Sequence, residues 1–313
     1  MISFLMLLAL TLAQPVAPES HWCYPSQAAK ITCLEPSNWP GYCHGSRQSP
    51  INIITEKTIL NSSLVPFTFT NYDEKKSRII RNNGHTVEVE LDDSIKISGG
   101  GLQDTYKAVA FHMHWSDFVD EGSEHTVDGK SYAMELHIVH IKEKFQSLSE
   151  ALSGSDNDEI AVLGFLIKAS PQNNSGFVNL VENLNDVKFQ YYDSTLKQFS
   201  LFDLIPEADK LKGYYRYWGS LTTPQCEEKV VWTVFHERIP LHSSQIFEFS
   251  TSLYYNSEEE MEATMMPMID NYRKTQPLGD RQVFTSGVGI LLPQAWPMLL
   301  APLLTYLLTL FLY

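Results

Sequence analysis

Phe111-His112-Met113-His114-Trp115 is the segment that most limits what this chain can become. On an extended strand successive side chains point to opposite faces, so His112 and His114 project together while Phe111, Met113 and Trp115 face the other way. A second strand pattern follows the Asp128-Gly129 turn: Ala133-Met134-Glu135-Leu136-His137-Ile138-Val139-His140. There Glu135, His137 and Val139 share one face, and His140 lies on the other with Leu136 and Ile138. If the two strands lie together, three imidazoles converge on one point.

Three histidines without a thiolate or a carboxylate suit zinc in an open catalytic site, whereas a closed structural site takes four ligands, usually including Cys. His137-Ile138-Val139-His140 has HxxH spacing, not the helical HExxH of metalloproteases. His140, on the opposite face, reads as a structural histidine. Strand-like runs recur at 86–97, 109–115, 133–140, 160–167 and 230–235, with turn signals at Asn83-Gly84, Gly99-Gly100-Gly101 and Asp128-Gly129. Helical patterns are few, near 177–184 and 243–253. Without a repeat, a charge run or a long linker, the expected fold is a single α+β domain dominated by strands.

The two ends read differently from the middle. Residues 2–12 are a charge-free apolar run broken at Gln14-Pro15, with Thr11 and Ala13 at cleavage-like spacing. That run is too short to span a bilayer and is assigned, as residues 1–19, to a secretory signal peptide, although no Lys or Arg precedes it. After Arg281 no charged residue follows; Ser286 and Gly287 are small, a spacer comes next, and 295–313 is almost wholly apolar. This pattern fits a glycolipid-anchor signal, 287–313, removed when lipid is attached at Ser286. A retained transmembrane helix is the alternative, but Pro297 and Pro302 interrupt it and nothing basic follows it. The domain between, 20–286, is then expected on the outer face of the plasma membrane. Thiols oxidise there, so Cys23, Cys33, Cys43 and Cys226 should pair, with three pairings open. Asn61-Ser62-Ser63 and Asn173-Asn174-Ser175 become candidate glycan acceptors at Asn61 and Asn173. With 23 basic against 37 acidic residues and a net charge of −14, the chain has no general electrostatic case for nucleic acid.

His112-x-His114-Trp115, the segment 122–128 and Glu135-Leu136-His137 together resemble the signature of the α-carbonic anhydrases. The likeness continues through Arg47-Gln48-Ser49-Pro50-Ile51-Asn52-Ile53, Asn82-Asn83-Gly84-His85 and Gly219-Ser220-Leu221-Thr222-Thr223-Pro224. It covers nearly everything from His21 to Arg281, and the two ends make the chain similar to the membrane-anchored kind.

The resemblance implies a twisted, mostly antiparallel central sheet of about ten strands. It also implies zinc at the bottom of a conical cleft and reversible hydration of carbon dioxide to bicarbonate and a proton. It assigns His112, His114 and His137 as zinc ligands, Glu135 as the hydrogen-bond partner of His137, and the Asn271 main-chain carbonyl as that of His114. Thr222 and Glu124 would orient the nucleophile. His85 would be the proton shuttle near the cleft mouth with Tyr24 and Asn83, its ordinary pKa near 6.5 suited to that work. Val139, Val162, Leu221, Thr223, Val230 and Trp232 would form the carbon dioxide pocket. The implied disulfides are Cys23–Cys33 and Cys43–Cys226.

One departure is visible. Ala110 stands where the family usually has Gln, so His112 lacks a side-chain partner and a water or backbone carbonyl must replace it. The expected partners are carbon dioxide, bicarbonate, water, the membrane through its lipid, and bicarbonate transporters as neighbours such an enzyme would serve. A catalytically silent binding ectodomain is the alternative, but such relatives typically lack zinc histidines, and all three are present here.

Overall fold

The two histidine runs form strands Tyr106–Trp115 and Met134–Lys142, and their antiparallel register sets His112 opposite His137 and His114 opposite Glu135. The structure is a computed structural model that describes residues 21–260 and 265–287. The predicted signal peptide, and all of the predicted anchor signal after Gly287, lie outside the described residues.

The two histidine strands sit near the middle of a 13-stranded sheet. From one edge its main path runs Asp193–Phe199, Lys76–Asn82, Val87–Glu90, Tyr106–Trp115 and Met134–Lys142. It continues through Ile160–Ser170, Val230–Phe235, Tyr214–Gly219, Phe284–Thr285 and Ile59–Leu60. Most neighbours are antiparallel, but Ile160–Ser170 pairs in parallel with Val230–Phe235 and with Ile239–His242, and Phe284–Thr285 with Ile59–Leu60. The sheet is therefore mixed, and helices are short; the longest described is Ser243–Ser252.

The pleat divides the central strands between two apolar clusters. Phe111, Met113, Trp115, Leu136, Ile138 and Phe165 pack on one face with helix residues such as Phe249 and Leu180. Val139, Val162, Val230, Trp232 and Tyr217 pack on the other, the face that carries His137. Met134–Lys142 is buried at every position, so neither face of that strand meets water. A polar group there must be hydrogen-bonded, or else bound to a ligand.

The run 86–97, read as one strand, is two: Val87–Glu90 and Lys96–Gly99. Asp92-Asp93-Ser94 breaks it, because Ile95 N–H donates to the Asp92 carbonyl at 3.2 Å and Ser94 N–H to its carboxylate at 3.2 Å. Short polar side chains that bond their own backbone compete with a strand ladder. The helical reading of 177–184 resolves into Val178–Glu182 followed by a 3-10 segment, Asn183–Val187.

Two disulfides, Cys23–Cys33 and Cys43–Cys226, tie the N-terminal segment to itself and to the loop after Gly219. The second links residues 183 apart, a closure worth about 5 kcal/mol in chain entropy. Among the described residues no helix is long and apolar enough to cross a membrane.

Candidate metal centre

His112, His114 and His137 bring one ring nitrogen each within 4.8 Å of the others. His114 and His137 are 1% exposed, while His112 keeps a partly open side. Burial pushes the pKa of all three down, His114 to about 4, so the rings are neutral. A neutral imidazole has one N–H and one lone pair, and the outer partners fix which nitrogen is which.

His114 Nδ1 lies 2.7 Å from the Asn271 carbonyl, which can only accept, so Nδ1 donates and Nε2 keeps the lone pair. His137 Nε2 lies 2.8 Å from Glu135 Oε1. Burial alone would raise the Glu135 pKa, but His125 and His137 hold it well below the usual carboxylate range, so this oxygen also accepts. His137 is left with its lone pair on Nδ1. Those two lone pairs, His114 Nε2 and His137 Nδ1, face each other across 3.1 Å. Two acceptors at that distance repel unless a cation sits between them, so the donor set fits a metal ion.

Two further groups have metal-like spacing, His125–Glu135–His137 and Asp156–Asp158–Glu159. In the first, both histidines already point a nitrogen at Glu135, at 2.7 and 2.8 Å. In the second, the Lys142 ammonium supplies the cation, 2.5 Å from Asp158 and 3.6 Å from Glu159.

Glu135 has room for its carboxylate because the residue paired with His137 on the next strand is Gly164: a Cβ there would come within 3.2 Å of Glu135 Oε1. Its other oxygen accepts the backbone N–H groups of Glu124 and His125 at 2.9 and 2.7 Å. Glu124 is 1% exposed. Burial raises its pKa to about 7, against the pull of His137 and of the Arg273 N–H, which donates at 2.8 Å. Thr222, also buried, adds to that pull through its hydroxyl. Glu124 Oε2 has no hydrogen-bond partner among the described residues and lies 3.5 Å from His114 Nε2.

Val139, Val162 and Trp232 are cross-strand neighbours in register on the His137 face, and Val230 and the half-buried Leu221 pack with them. The Trp232 ring centroid is 4.8 Å from that of His137. Thr223 follows Thr222 and is half-buried.

His85 stands apart from this group. Asn83 Oδ1 accepts its backbone N–H at 3.0 Å, Asn271 Nδ2 donates to its carbonyl, and its ring stacks on Trp22 with centroids 3.7 Å apart. Tyr24, 1% exposed, meets the His85 ring edge-on at 6.5 Å. Burial, with a smaller push from His21, lowers the His85 pKa to about 4, so the ordinary value near 6.5 does not apply in this position. Its Nδ1 is buried without a partner among the described residues.

His140 is satisfied by the Tyr72 hydroxyl at 2.7 Å and the Ala161 carbonyl at 3.3 Å, as expected of a structural histidine. Ala110 is 8% exposed, and no hydrogen bond reaches the His112 ring among the described residues, from a backbone carbonyl or otherwise. Asn173 is exposed and Asn61 half-buried. Ser286 is 0% exposed, its backbone and hydroxyl bonded to Tyr214 and Lys212.

Three residues escaped the sequence reading. His125 joins Glu135 to the Tyr217 hydroxyl at 2.7 and 2.6 Å. Arg273 donates from its guanidinium to Gln48, Ser49 and the Cys43 carbonyl. Glu88 pairs directly with His112 across the sheet, half-buried and without an ion-pair partner among the described residues. Only the register reveals Glu88; His125, next to Glu124, carried a local signal in its motif.

A family model described as eukaryotic-type carbonic anhydrase matches residues 34–287. Carbonic anhydrase 4 of Oryctolagus cuniculus is 49% identical over 300 residues, covering 95% of either chain. Carbonic anhydrase 4 of Rattus norvegicus is 47% identical over 313 residues, 99% of each, and that of Mus musculus 44% identical over 311, 98% of each. With the family match spanning most of the chain and relatives this similar end to end, the chain belongs to the eukaryotic-type carbonic anhydrase family and is an enzyme of it.

Proposed function

We propose that His112, His114 and His137 hold zinc and that the chain hydrates carbon dioxide reversibly to bicarbonate and a proton. The observation that carries this reading is the pair of lone pairs facing each other across 3.1 Å. When bound, zinc supplies the Lewis acidity that makes water a nucleophile near neutral pH, as established for the family.

The chain's own residues do the rest. Glu135 and the Asn271 carbonyl hold two rings in the tautomers that free a lone pair for the metal. The Thr222 hydroxyl donates its hydrogen bond to Glu124, so the Thr222 oxygen is left to accept from the nucleophile and turn its lone pair toward carbon. Val139, Val162, Leu221, Val230 and Trp232, with Thr223 at their edge, offer a small apolar wall for a gas that needs no hydrogen bond. His85 relays the released proton beside Tyr24 and Asn83. With a pKa near 4 it holds that proton only in passing while it is stacked on Trp22.

We further place the enzyme outside the cell: 1–19 acts as signal peptide, 287–313 as anchor signal, and a glycolipid on Ser286 holds 20–286 at the outer surface, with the exposed Asn173 as a glycan site. Release of active enzyme by a phosphatidylinositol-specific phospholipase supports the anchor. Peptides from 288–313 in the mature protein would refute it.

The central test is stopped-flow carbon dioxide hydration before and after chelation. Activity should fall in step with zinc content and return when zinc is restored. Full turnover from a zinc-free protein would overturn the assignment.

A further inference from the structure

The sheet ends on an edge that is apolar where edges are normally guarded. Ile59–Leu60 is its last strand, and Ile59, Leu60 and Val65 are 41%, 58% and 48% exposed. Natural edges are usually blunted by charge, because an exposed apolar edge invites association. Here the chain carries no charged side chain from Thr58 to Tyr72, nor from Gln282 to Gly287, although 60 of its residues are charged (23 basic plus 37 acidic).

The strand register gathers more apolar surface at the same place. Ile59 pairs with Phe284 and Phe284 with Arg216, so Trp218, two residues along from Arg216, shares their face. Trp218 is 41% exposed, its ring edge-on to Phe284 at 6.1 Å. Leu60 projects from the opposite face, 3.5 Å from where a Cβ on Gly287 would lie. The edge is therefore apolar on both sides.

The described chain also ends at this edge. Ser286 N–H donates to the Tyr214 carbonyl at 3.0 Å, and Ser286 Oγ accepts from Tyr214 N–H and donates to the Lys212 carbonyl. The residue read as the tether point is thus stitched into the sheet, and a lipid joined to it starts beside Leu60 with no slack between. We propose that Ile59, Leu60, Val65, Trp218 and Phe284 form a docking edge that rests in the interfacial zone of the lipid leaflet. The tether is then short and the body is held in one orientation. Tryptophan is favoured at that depth, and interfacial binding grows with the apolar area placed there. The proposal rests on the reading that the chain is tethered at Ser286.

The test uses the full chain, purified from membranes with its own anchor and placed in phosphatidylcholine vesicles with or without brominated acyl chains. Bromolipid should quench part of the tryptophan emission of the wild type, and Trp218→Phe should abolish that part. Leu60→Asp with Ile59→Asp should reduce it while leaving carbon dioxide hydration unchanged, which shows that the variant is folded. Enzyme that stays on the vesicles yet emits equally in both lipids overturns the docking edge and leaves the tether standing. Enzyme that never associates with vesicles overturns the tether itself. Quenching that emerges only in Asn61→Gln would show that a glycan covers the edge, and a dimer after phospholipase release would show that a second copy does; either overturns the proposal.

Discussion

The strand Met134–Lys142 carries two buried histidines three positions apart, on opposite faces, in opposite circumstances. His140 has a partner for each nitrogen, Tyr72 on one side and Ala161 on the other. His137 spends its N–H on Glu135 and aims its lone pair at that of His114. Both are neutral, and burial pushes both pKa values down. Burial of a histidine therefore says little about its role. An acceptor left facing another acceptor says a great deal, because that arrangement is unfavourable until something positive fills it.

The largest effect that would break the comparison comes from His137→Ala. It leaves two ligands for zinc, so both bound metal and carbon dioxide hydration should be lost. Metal analysis and stopped-flow kinetics on one preparation check it. Glu135→Gln should be milder, since the ring remains but its orienting carboxylate does not. Zinc should bind about 10–100-fold more weakly, read by competition with a chelator.

His140→Phe should do the converse, leaving zinc stoichiometry intact while costing about 2 kcal/mol of stability through the unpartnered Tyr72 hydroxyl. It should also flatten the acid limb of stability. The His140 pKa is about 4 in the fold and near 6.5 in the unfolded chain, so the unfolded chain binds more protons between those values. Stability is full above pH 6.5 and falls as pH drops toward 4, by on the order of 3 kcal/mol for this one buried group. Denaturant melts across that range should show a shallower fall in the variant. An unchanged slope would mean that His140 is not the group being charged.

The smallest expected change is at His85. Trp22→Ala removes the ring that buries it and should move its pKa from about 4 back toward 6.5. A nuclear magnetic resonance titration of His85 reads the shift. Turnover in weak buffer should rise modestly if proton transfer limits it. No movement in either quantity would mean that Trp22 does not control the shuttle.

The alternation of side chains along two short runs was enough to place His112 and His114 on one face and to separate His137 from His140, because strand geometry fixes faces from sequence alone. The order of the motifs was enough to suggest the family. The sequence could not say that 86–97 would break at Asp92, since that depended on local side-chain bonds competing with a sheet partner. Nor could it find Glu88, which meets His112 only through the register of a neighbouring strand. The His85 pKa was misread for the same reason: ordinary values hold in water, and the Trp22 stack that removes the water joins residues far apart in the chain. Periodicity and residue type are local properties, so the sequence by itself determined the two histidine strands, the ligand candidates and the apolar ends. Which lone pairs face each other, which oxygen of Glu124 is left without a partner among the described residues, and which edge stays bare depend on contacts between distant segments. Only the tertiary structure decided those.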